Sequence, residues 1–202
     1  MIAIVDYGVG NIFSLKSSLA AIGQEAVVTA DPEVLKNADK VILPGVGAYR
    51  DAIGKLKECK LDTVVKEIAA SGKPLLGICL GMQLMLDGGV EYGNYEGLGL
   101  IDGIARPISE VIPEGYKVPH MGWNALKFKG EPNPIFKYIS EGDAVYFVHS
   151  YHAAGSSCVS AVSEYGGEIT AAIRKGNVYG CQFHPEKSGT VGLNILRGFA
   201  DL

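Results

Sequence analysis

The cysteine at position 79 stands where an apolar run meets a turn, and this setting suits a nucleophile. The run Leu75–Ile78 leads into Cys79, and Gly77 and Gly81 flank it in a Gly-x-Cys-x-Gly pattern. The pattern is typical of a nucleophile elbow, in which a strand turns sharply into a helix. A helix N-terminus favours the thiolate, and the N–H of Leu80 would face a developing oxyanion. The alternative is an ordinary buried cysteine.

A candidate base and a candidate orienting acid lie two residues apart near the C-terminus, in His184-Pro185-Glu186. Proline disfavours helical geometry in the residue before it, so we expect His184 to be extended. Side chains two apart on an extended segment share a face, and Glu186 could therefore hold the imidazole while its other nitrogen reaches a thiol. With Cys79 the pair predicts a Cys-His-Glu triad. A surface turn is the alternative.

The remaining cysteines and histidines are weaker candidates. These cysteines lie neither at a predicted helix start nor in a glycine turn, which favours structural roles. No such histidine has a carboxylate two residues away. The spacing also suggests neither a metal site nor a disulfide framework. The residues concerned are Cys59, Cys158, Cys181, His120, His149 and His152.

Two glycine turns follow apolar runs, at residues 44–47 and 6–11. The first, Pro-Gly-Val-Gly, could bring a second N–H to an oxyanion, because glycine lets a peptide plane reorient. It lacks the lysine and hydroxyl residue of a P-loop. The second lacks the third glycine of a dinucleotide site. We therefore expect no nucleotide cofactor.

Length and composition favour a single domain, residues 1–202. The chain is 48% hydrophobic and 20% charged, which is enough apolar sequence for a sizeable core. A net charge of −4 and a pI near 5.6 argue against nucleic-acid binding. No apolar run has the length of a membrane span, and residues 1–6 read as a strand rather than a signal peptide. We expect a cytoplasmic protein.

Apolar runs alternate with amphipathic stretches in the first half of the chain, whereas the second half is rich in strands. This order predicts an α/β fold whose mostly parallel central sheet is flanked by helices and extended by antiparallel strands. The loops after residues 5, 43 and 78 should meet at the carboxyl edge. Predicted strands are 2–5, 26–29, 40–43, 75–78, 100–108, 116–119, 125–128, 144–149, 158–163, 168–174 and 178–183. Predicted helices are 11–22, 32–36, 48–57, 61–70, 191–200 and one starting at Cys79.

Taken together, these motifs resemble those of class I (triad) glutamine amidotransferases over essentially the whole chain. That family has a Pro-Gly-x-Gly oxyanion loop, a Gly-x-Cys-x-Gly-x-Gln elbow and a C-terminal His-Pro-Glu, in this order. The resemblance implies a flavodoxin-like sheet, glutamine hydrolysis by Cys79, His184 and Glu186, and no cofactor or metal. It also implies an oxyanion hole from Val46, Gly47 and Leu80. The implied glutamine-binding residues are Gly45, Gln83, Glu91, His149, Ser150 and Tyr151.

Within the family, the chain is most similar to glutaminase subunits of imidazole glycerol phosphate synthase. The similarity lies in residues 44–47, 79–83, 119–124, 146–151 and 183–188. It implies a heterodimer in which a (β/α)₈-barrel cyclase subunit receives the ammonia and makes imidazole glycerol phosphate and AICAR in histidine biosynthesis. The implied interface residues are Tyr7, Asn11, Trp123 and Lys187. A core-capping Trp123 is the alternative for that residue.

Three other functions remain open from the sequence. The first is the glutaminase subunit of an anthranilate or aminodeoxychorismate enzyme, although Val46 and Met82 stand where those relatives carry proline and histidine. The second is a catalytically silent subunit that only binds, which an intact triad disfavours. The third is a cysteine hydrolase of other substrates on a similar sheet.

Overall fold

The computed structural model describes residues 1–202, and its largest feature is an eight-stranded sheet. The strands are β1 (Ile2–Val5), β2 (Ala26–Thr29), β3 (Lys40–Leu43), β4 (Leu75–Ile78), β5 (Gly88–Gly89), β6 (Tyr95–Glu96), β7 (Ile104–Pro107), β8 (His120–Ala125), β9 (Lys127–Phe128), β10 (Ala144–His149), β11 (Tyr151–Ala154), β12 (Val159–Glu164), β13 (Glu168–Lys175) and β14 (Val178–Cys181). The helices are α1 (Ile12–Ala21), α2 (Pro32–Asn37), α3 (Tyr49–Glu58), α4 (Leu61–Ala70), α5 (Leu80–Leu84) and α6 (Gly189–Ala200). Single 3₁₀ turns lie at Ile108–Glu110, Pro134–Phe136 and Pro185–Lys187.

The large sheet has the strand order β2-β1-β3-β4-β14-β13-β12-β9. The first five strands are parallel, and the last three continue the sheet in antiparallel pairing. The α/β fold that the sequence predicts, with a mostly parallel sheet and added antiparallel strands, is confirmed.

Alternate residues of the parallel strands pack into two separate apolar clusters. In β1, Ala3 and Val5 pack with residues of α3 and α4, whereas Ile2 and Ile4 pack with residues of α1 and α6. All four residues of β1 are buried, as are all those of β4 and β14. Burial on both faces explains why these strands are continuous apolar runs in the sequence.

The carboxyl ends of four adjacent parallel strands form one edge of the sheet. β1, β3, β4 and β14 end there, so the segments that begin at Asp6, Pro44, Cys79 and Gln182 leave the same edge. β14 pairs directly with β4, with Cys181 opposite Ile78. The histidine segment is therefore placed beside the cysteine elbow, as the triad requires.

The structure departs from the predicted strands in the second half. Residues 116–119 are not a strand, and the strand begins one residue later, at His120. Pro119 has no N–H for a ladder, and Gly115 adopts a φ of 96°, so this segment turns instead. The predicted strand 100–108 is reduced to β7, which follows Gly103 at a φ of 122°.

Two small sheets lie apart from the large one. β8 and β10 form an antiparallel pair, and the other sheet has the order β11-β7-β5-β6. The chain passes from β10 to β11 at Ser150, so this residue lies at a sharp change of sheet. None of the helices is both long enough and apolar enough to cross a membrane.

Candidate active site

Cys79 occupies a strained turn between β4 and α5. Its φ of 54° and ψ of −111° lie outside the common regions for a residue with a Cβ, a conformation that costs on the order of 1–3 kcal/mol. Its N–H donates to the carbonyl of Cys181 at 2.8 Å, which ties the turn to β14. α5 begins at Leu80, one residue after the predicted start, and has only five residues, so its macrodipole adds little at the sulfur.

The loop after β3 lies directly against this elbow. A Cβ on Gly81 would overlap the carbonyl oxygen of Leu43, and one on Gly45 would lie 2.6 Å from the backbone nitrogen of Gly81. Only glycine permits these two backbones to approach so closely. The contact brings the Val46–Gly47 segment and the N-terminal end of α5 to the same side of Cys79.

His184 and Glu186 form a buried pair beside the cysteine. The imidazole Nδ1 donates to Glu186 Oε1 at 2.8 Å, and each side chain is 2% exposed. Asn11 Nδ2 donates to the same oxygen at 3.4 Å, whereas Glu186 Oε2 has no partner. With Nδ1 occupied by the carboxylate, Nε2 is the ring nitrogen left for the thiol.

The surroundings of His184 favour its protonated form. Burial lowers the pKa of His184, but the hydrogen bonds and charges of Cys79 and Glu186 outweigh burial and raise it to about 10. The imidazole therefore carries a proton at neutral pH. A protonated imidazole in this position can give its proton to an amine that leaves the substrate.

Two hydrogen bonds fix the His-Pro-Glu turn to β10, and a third closes the turn on itself. The N–H of His184 donates to the carbonyl of Tyr146 at 3.0 Å. Ser188 Oγ donates to the carbonyl of His184 at 2.6 Å and accepts from the N–H of Tyr146 at 2.9 Å. Ser188 had no predicted role, because a lone serine after a turn carries no distinctive signal.

A cavity of about 320 Å³ opens above the sulfur and collects most of the residues that the sequence singled out. It is lined by Val46, Gly47, Cys79, Leu80, Gln83, Glu91, Pro119, Val148, His149, Ser150, Tyr151, His184 and Lys187. Gly45 and Glu186 do not line it. They lie one layer behind, where they contact the elbow and the imidazole.

His149 forms part of the cavity wall as a neutral side chain. Burial lowers the pKa of His149 to about 3, although its hydrogen bond to the carbonyl of Tyr151 acts in the opposite direction. That bond is 2.8 Å long and comes from Nδ1, because a carbonyl can only accept. The other nitrogen, Nε2, lies 3.0 Å from Nδ1 of His120.

Glu91 lies at the rim of the cavity with its carboxylate held in place. The N–H of Tyr49, the first residue of α3, donates to Glu91 Oε2 at 2.6 Å. A carboxylate fixed in this way next to the cavity is suited to an ammonium group. The position fits the role that the resemblance implies for Glu91.

The four residues expected at an interface differ in their exposure. Trp123 is 56% exposed, which excludes the core-capping alternative, and Lys187 is exposed at the mouth of the cavity. Asn11 is half-buried against Glu186. Tyr7 is 3% exposed and donates its hydroxyl to the carbonyl of Pro44 at 2.8 Å, so it supports the glycine loop from below. Our expectation that Tyr7 contacts a partner is corrected accordingly.

Gln182 is a site residue that the sequence analysis missed. Its side chain is fully buried, and its Nε2 lies 3.6 Å from Cys79 Sγ. The spacing of two residues that predicts a shared face for His184 and Glu186 also places Gln182 on that face. The signal was therefore present, although glutamine has no titratable group to draw notice.

Comparison with known proteins agrees with this geometry. The sequence pattern of the family "Glutamine amidotransferase class-I" matches residues 3–201. This chain belongs to that family. A solved glutamine amidotransferase structure superposes on this amidotransferase with a TM-score of 0.77 at 20% identity, covering 100% of this chain and 98% of that one. At that identity the likeness shows the fold.

The amidotransferase also has full-length relatives of higher identity. The protein of Geobacillus sp. (strain WCH70) called imidazole glycerol phosphate synthase subunit HisH is 48% identical, and the match covers 100% of this chain and 97% of that one. The protein of the same name from Geobacter sulfurreducens is 47% identical, over 100% of this chain and 98% of that one.

Proposed function

We propose that this chain is the glutaminase subunit of imidazole glycerol phosphate synthase, acting in histidine biosynthesis. It hydrolyses glutamine to glutamate and ammonia and passes the ammonia to a cyclase subunit. The observation that carries the proposal is a buried His184–Glu186 pair beside Cys79, with His184 and Cys79 lining one cavity. Relatives that match this chain over their full length are called imidazole glycerol phosphate synthase subunit HisH. The proposal includes one amidotransferase domain, residues 1–202, and a cytoplasmic location.

In the first half of the reaction, Cys79 Sγ attacks the side-chain amide carbon of glutamine. The amide oxygen gains negative charge and is stabilised by the N–H of Leu80 and by the Val46–Gly47 peptide of the adjacent loop. His184 then gives its proton to the amide nitrogen. Ammonia leaves, and a thioester joins the sulfur to the glutamyl carbon.

In the second half, water hydrolyses the thioester. His184 is now neutral, so it takes a proton from the attacking water. The same oxyanion donors stabilise the second tetrahedral intermediate, whose collapse releases glutamate. Glu186 keeps Nδ1 of the imidazole occupied in both halves, so that Nε2 handles every proton transfer.

The rest of the cavity suits the zwitterionic end of glutamine. Glu91 supplies a carboxylate for the ammonium group, and the segment from His149 to Tyr151 also lines the cavity. Gly45, within the loop after β3, lets that loop lie close to the elbow and so shapes the site without lining the cavity. Gln83 and Ser150 add polar side chains at the wall. We assign these residues to substrate binding.

The ammonia must reach its acceptor without mixing with water, where it would be protonated. A partner that covers the cavity mouth meets this need, and we assign the role to a (β/α)₈-barrel cyclase subunit. Lys187 lines the cavity and is exposed, and Trp123 is exposed on β8, the strand that follows the cavity residue Pro119; these two are the contacts we assign. Asn11, which we also assign to the interface, donates a hydrogen bond to the carboxylate of Glu186.

Glutamate release from glutamine tests the proposal. It is measured for the chain alone, with the cyclase subunit, and with that subunit carrying its ribotide substrate. We expect release in the assembled complex and none from Cys79→Ala. Cys59→Ala, which alters an exposed cysteine away from the cavity, should retain activity. A lack of glutamate release in every assembly state would contradict the proposal.

A further inference from the structure

Gln182 is a fully buried side chain that touches the reacting sulfur. It follows β14 directly, and its Nε2 lies 3.6 Å from Cys79 Sγ. Its Oε1 accepts from Gln83 Nε2 at 3.0 Å. Gln83 in turn lines the cavity. A short chain of two amides therefore runs from the cavity wall to the nucleophile.

A backbone carbonyl fixes the direction of both amides. Gln83 Nε2 lies 3.0 Å from the carbonyl oxygen of Tyr151, which can only accept, so this end of Gln83 must be its NH₂ group. The same NH₂ group faces Gln182, whose facing atom must then be its oxygen. The remaining end of Gln182, directed at the sulfur of Cys79, is consequently an N–H donor. No choice of amide orientation is left open.

A donor in this position is of use only when the sulfur is charged. A neutral thiol is a weak acceptor, whereas hydrogen bonds to charged groups contribute roughly twice as much as neutral ones. α5 is too short to supply much dipole at Cys79. The amide of Gln182 is thus a fixed dipole that favours the thiolate and holds it beside His184.

We propose that Gln182 positions and stabilises the thiolate of Cys79, and that Gln83 holds Gln182 in the donating orientation. The benefit of this role to catalysis rests on the proposed function, whereas the contact of Gln182 with the sulfur is present without glutamine. Gln83 accordingly acts through Gln182 as well as at the cavity wall.

Alkylation of Cys79 by iodoacetamide as a function of pH tests this role. Mass spectrometry of the peptide containing Cys79 separates it from the other cysteines. Gln182→Glu keeps an oxygen for Gln83 but puts a carboxylate where the donor was, and Gln182→Met removes the donor without adding charge. We expect the pH midpoint of alkylation to rise by roughly one to two units in both variants. The kcat for glutamine should fall about 10-fold or more, with little change in KM.

The control is Gln24→Glu, the same exchange at a residue remote from the site, which should leave the midpoint unchanged. A folded Gln182→Met protein with the midpoint of the unaltered chain would overturn the proposal, even if its melting temperature had fallen. In the unaltered protein, the side-chain NH₂ resonances of Gln182 should shift over the pH range in which Cys79 becomes reactive. Resonances that stay fixed would equally overturn it.

This experiment separates the inference from the proposed function. Iodoacetamide needs neither glutamine nor a partner subunit. A raised midpoint in a chain that never releases glutamate would support the role of Gln182 and contradict the glutaminase assignment. An unchanged midpoint in an active glutaminase would support the glutaminase assignment and contradict the role of Gln182.

Discussion

His184 keeps its proton at a pH where a free imidazole would have lost it. Burial acts against the charge, but Cys79 and Glu186 more than compensate and raise its pKa from 6.5 to about 10. The carboxylate is itself 2% exposed, and its second oxygen has no partner. A buried carboxylate of this kind is costly unless a cation faces it, so the pair is most stable while His184 is protonated.

Replacing Glu186 by glutamine should lower the pKa of His184, because one of the two groups that raise it is removed. The kcat for glutamine hydrolysis should fall on the order of 10²–10⁴-fold. Titration of the imidazole resonances by NMR measures the first effect, and steady-state kinetics measures the second. The control is Glu67→Gln, which removes an exposed ion pair with Lys36. An unshifted imidazole pKa in Glu186→Gln would refute this account of the pair.

The raised pKa also links folding stability to pH. A group whose pKa is higher in the folded state adds stability that is complete below its unfolded pKa, here near 6.5. That stability is lost as the pH rises through the folded pKa of about 10. Between about pH 6 and pH 10, the unaltered chain should therefore lose more unfolding free energy than Glu186→Gln. Urea unfolding across this range measures the difference, and equal losses would count against the ion pair.

At the level of single residues, the roles that depend on spacing along one segment could be predicted from the sequence. Local patterns were enough to single out Cys79, His184 and Glu186. The burial of Tyr7 and the contact of Asn11 with Glu186 depend on which strands are neighbours, and one segment cannot reveal that. Gln182 lies two residues before His184 and so shares its face, but it was missed because its side chain has no titratable group.

At the level of elements, the close contact between the loop after β3 and the elbow before α5 decides the geometry of the site. Gly81 packs against the carbonyl of Leu43, and Gly45 packs against the backbone of Gly81. The two oxyanion donors that we assign come from these two segments. Their separation is therefore fixed by backbone packing rather than by side chains.

Adding one methyl group at Gly81 should force these segments apart. Gly81→Ala is expected to lower the unfolding free energy by about 1–3 kcal/mol and to reduce glutamine hydrolysis sharply. The matched control is Gly54→Ala, within α3, where a Cβ meets nothing within 4 Å. Helix propensity should make that variant more stable by about 0.5–1 kcal/mol. Denaturant unfolding and kinetics on both proteins measure the contrast, and equal stability of the two would argue against the packing.

The parallel strands could be predicted because both of their faces are buried, and their sequences are therefore continuous apolar runs. β4 and β14 are examples. Their pairing with each other could not be predicted from either segment alone. The segment at 116–119 was misassigned because apolar content suggested a strand while Pro119 and Gly115 prevented one. The separation of β8 and β10 into their own pair depends on tertiary packing and leaves no periodic signal.

On the whole molecule, an apolar patch borders the mouth of the cavity. Met121 and Trp123 point outward from β8 and are 61% and 56% exposed, while Pro119, just before this strand, lines the cavity. Trp123 rests edge-on against Tyr146, with ring centroids 6.0 Å apart. Large apolar side chains exposed beside an active site are suited to a partner surface.

Trp123→Ala should therefore weaken binding of the cyclase subunit, by about 30-fold or more, because aromatic anchors at interface centres carry about 2 kcal/mol or more. The reactivity of Cys79 in the free chain should not change. Tyr138→Ala is the control, since this 44% exposed tyrosine contacts Asp201 at the far end of α6. Titration calorimetry gives both affinities. Equal affinities for the two variants would move the docking surface away from β8.

The central claim is that Cys79 is the nucleophile for glutamine, and labelling with a glutamine-analogue electrophile, such as a diazoketone, tests it most directly. The reagent is added to the complex with the cyclase subunit, and the labelled peptide is identified by mass spectrometry. The account predicts one equivalent of label on Cys79, protection by glutamine, and much slower labelling in His184→Ala. Label found instead on exposed Cys59, or no label on the assembled complex, would contradict it.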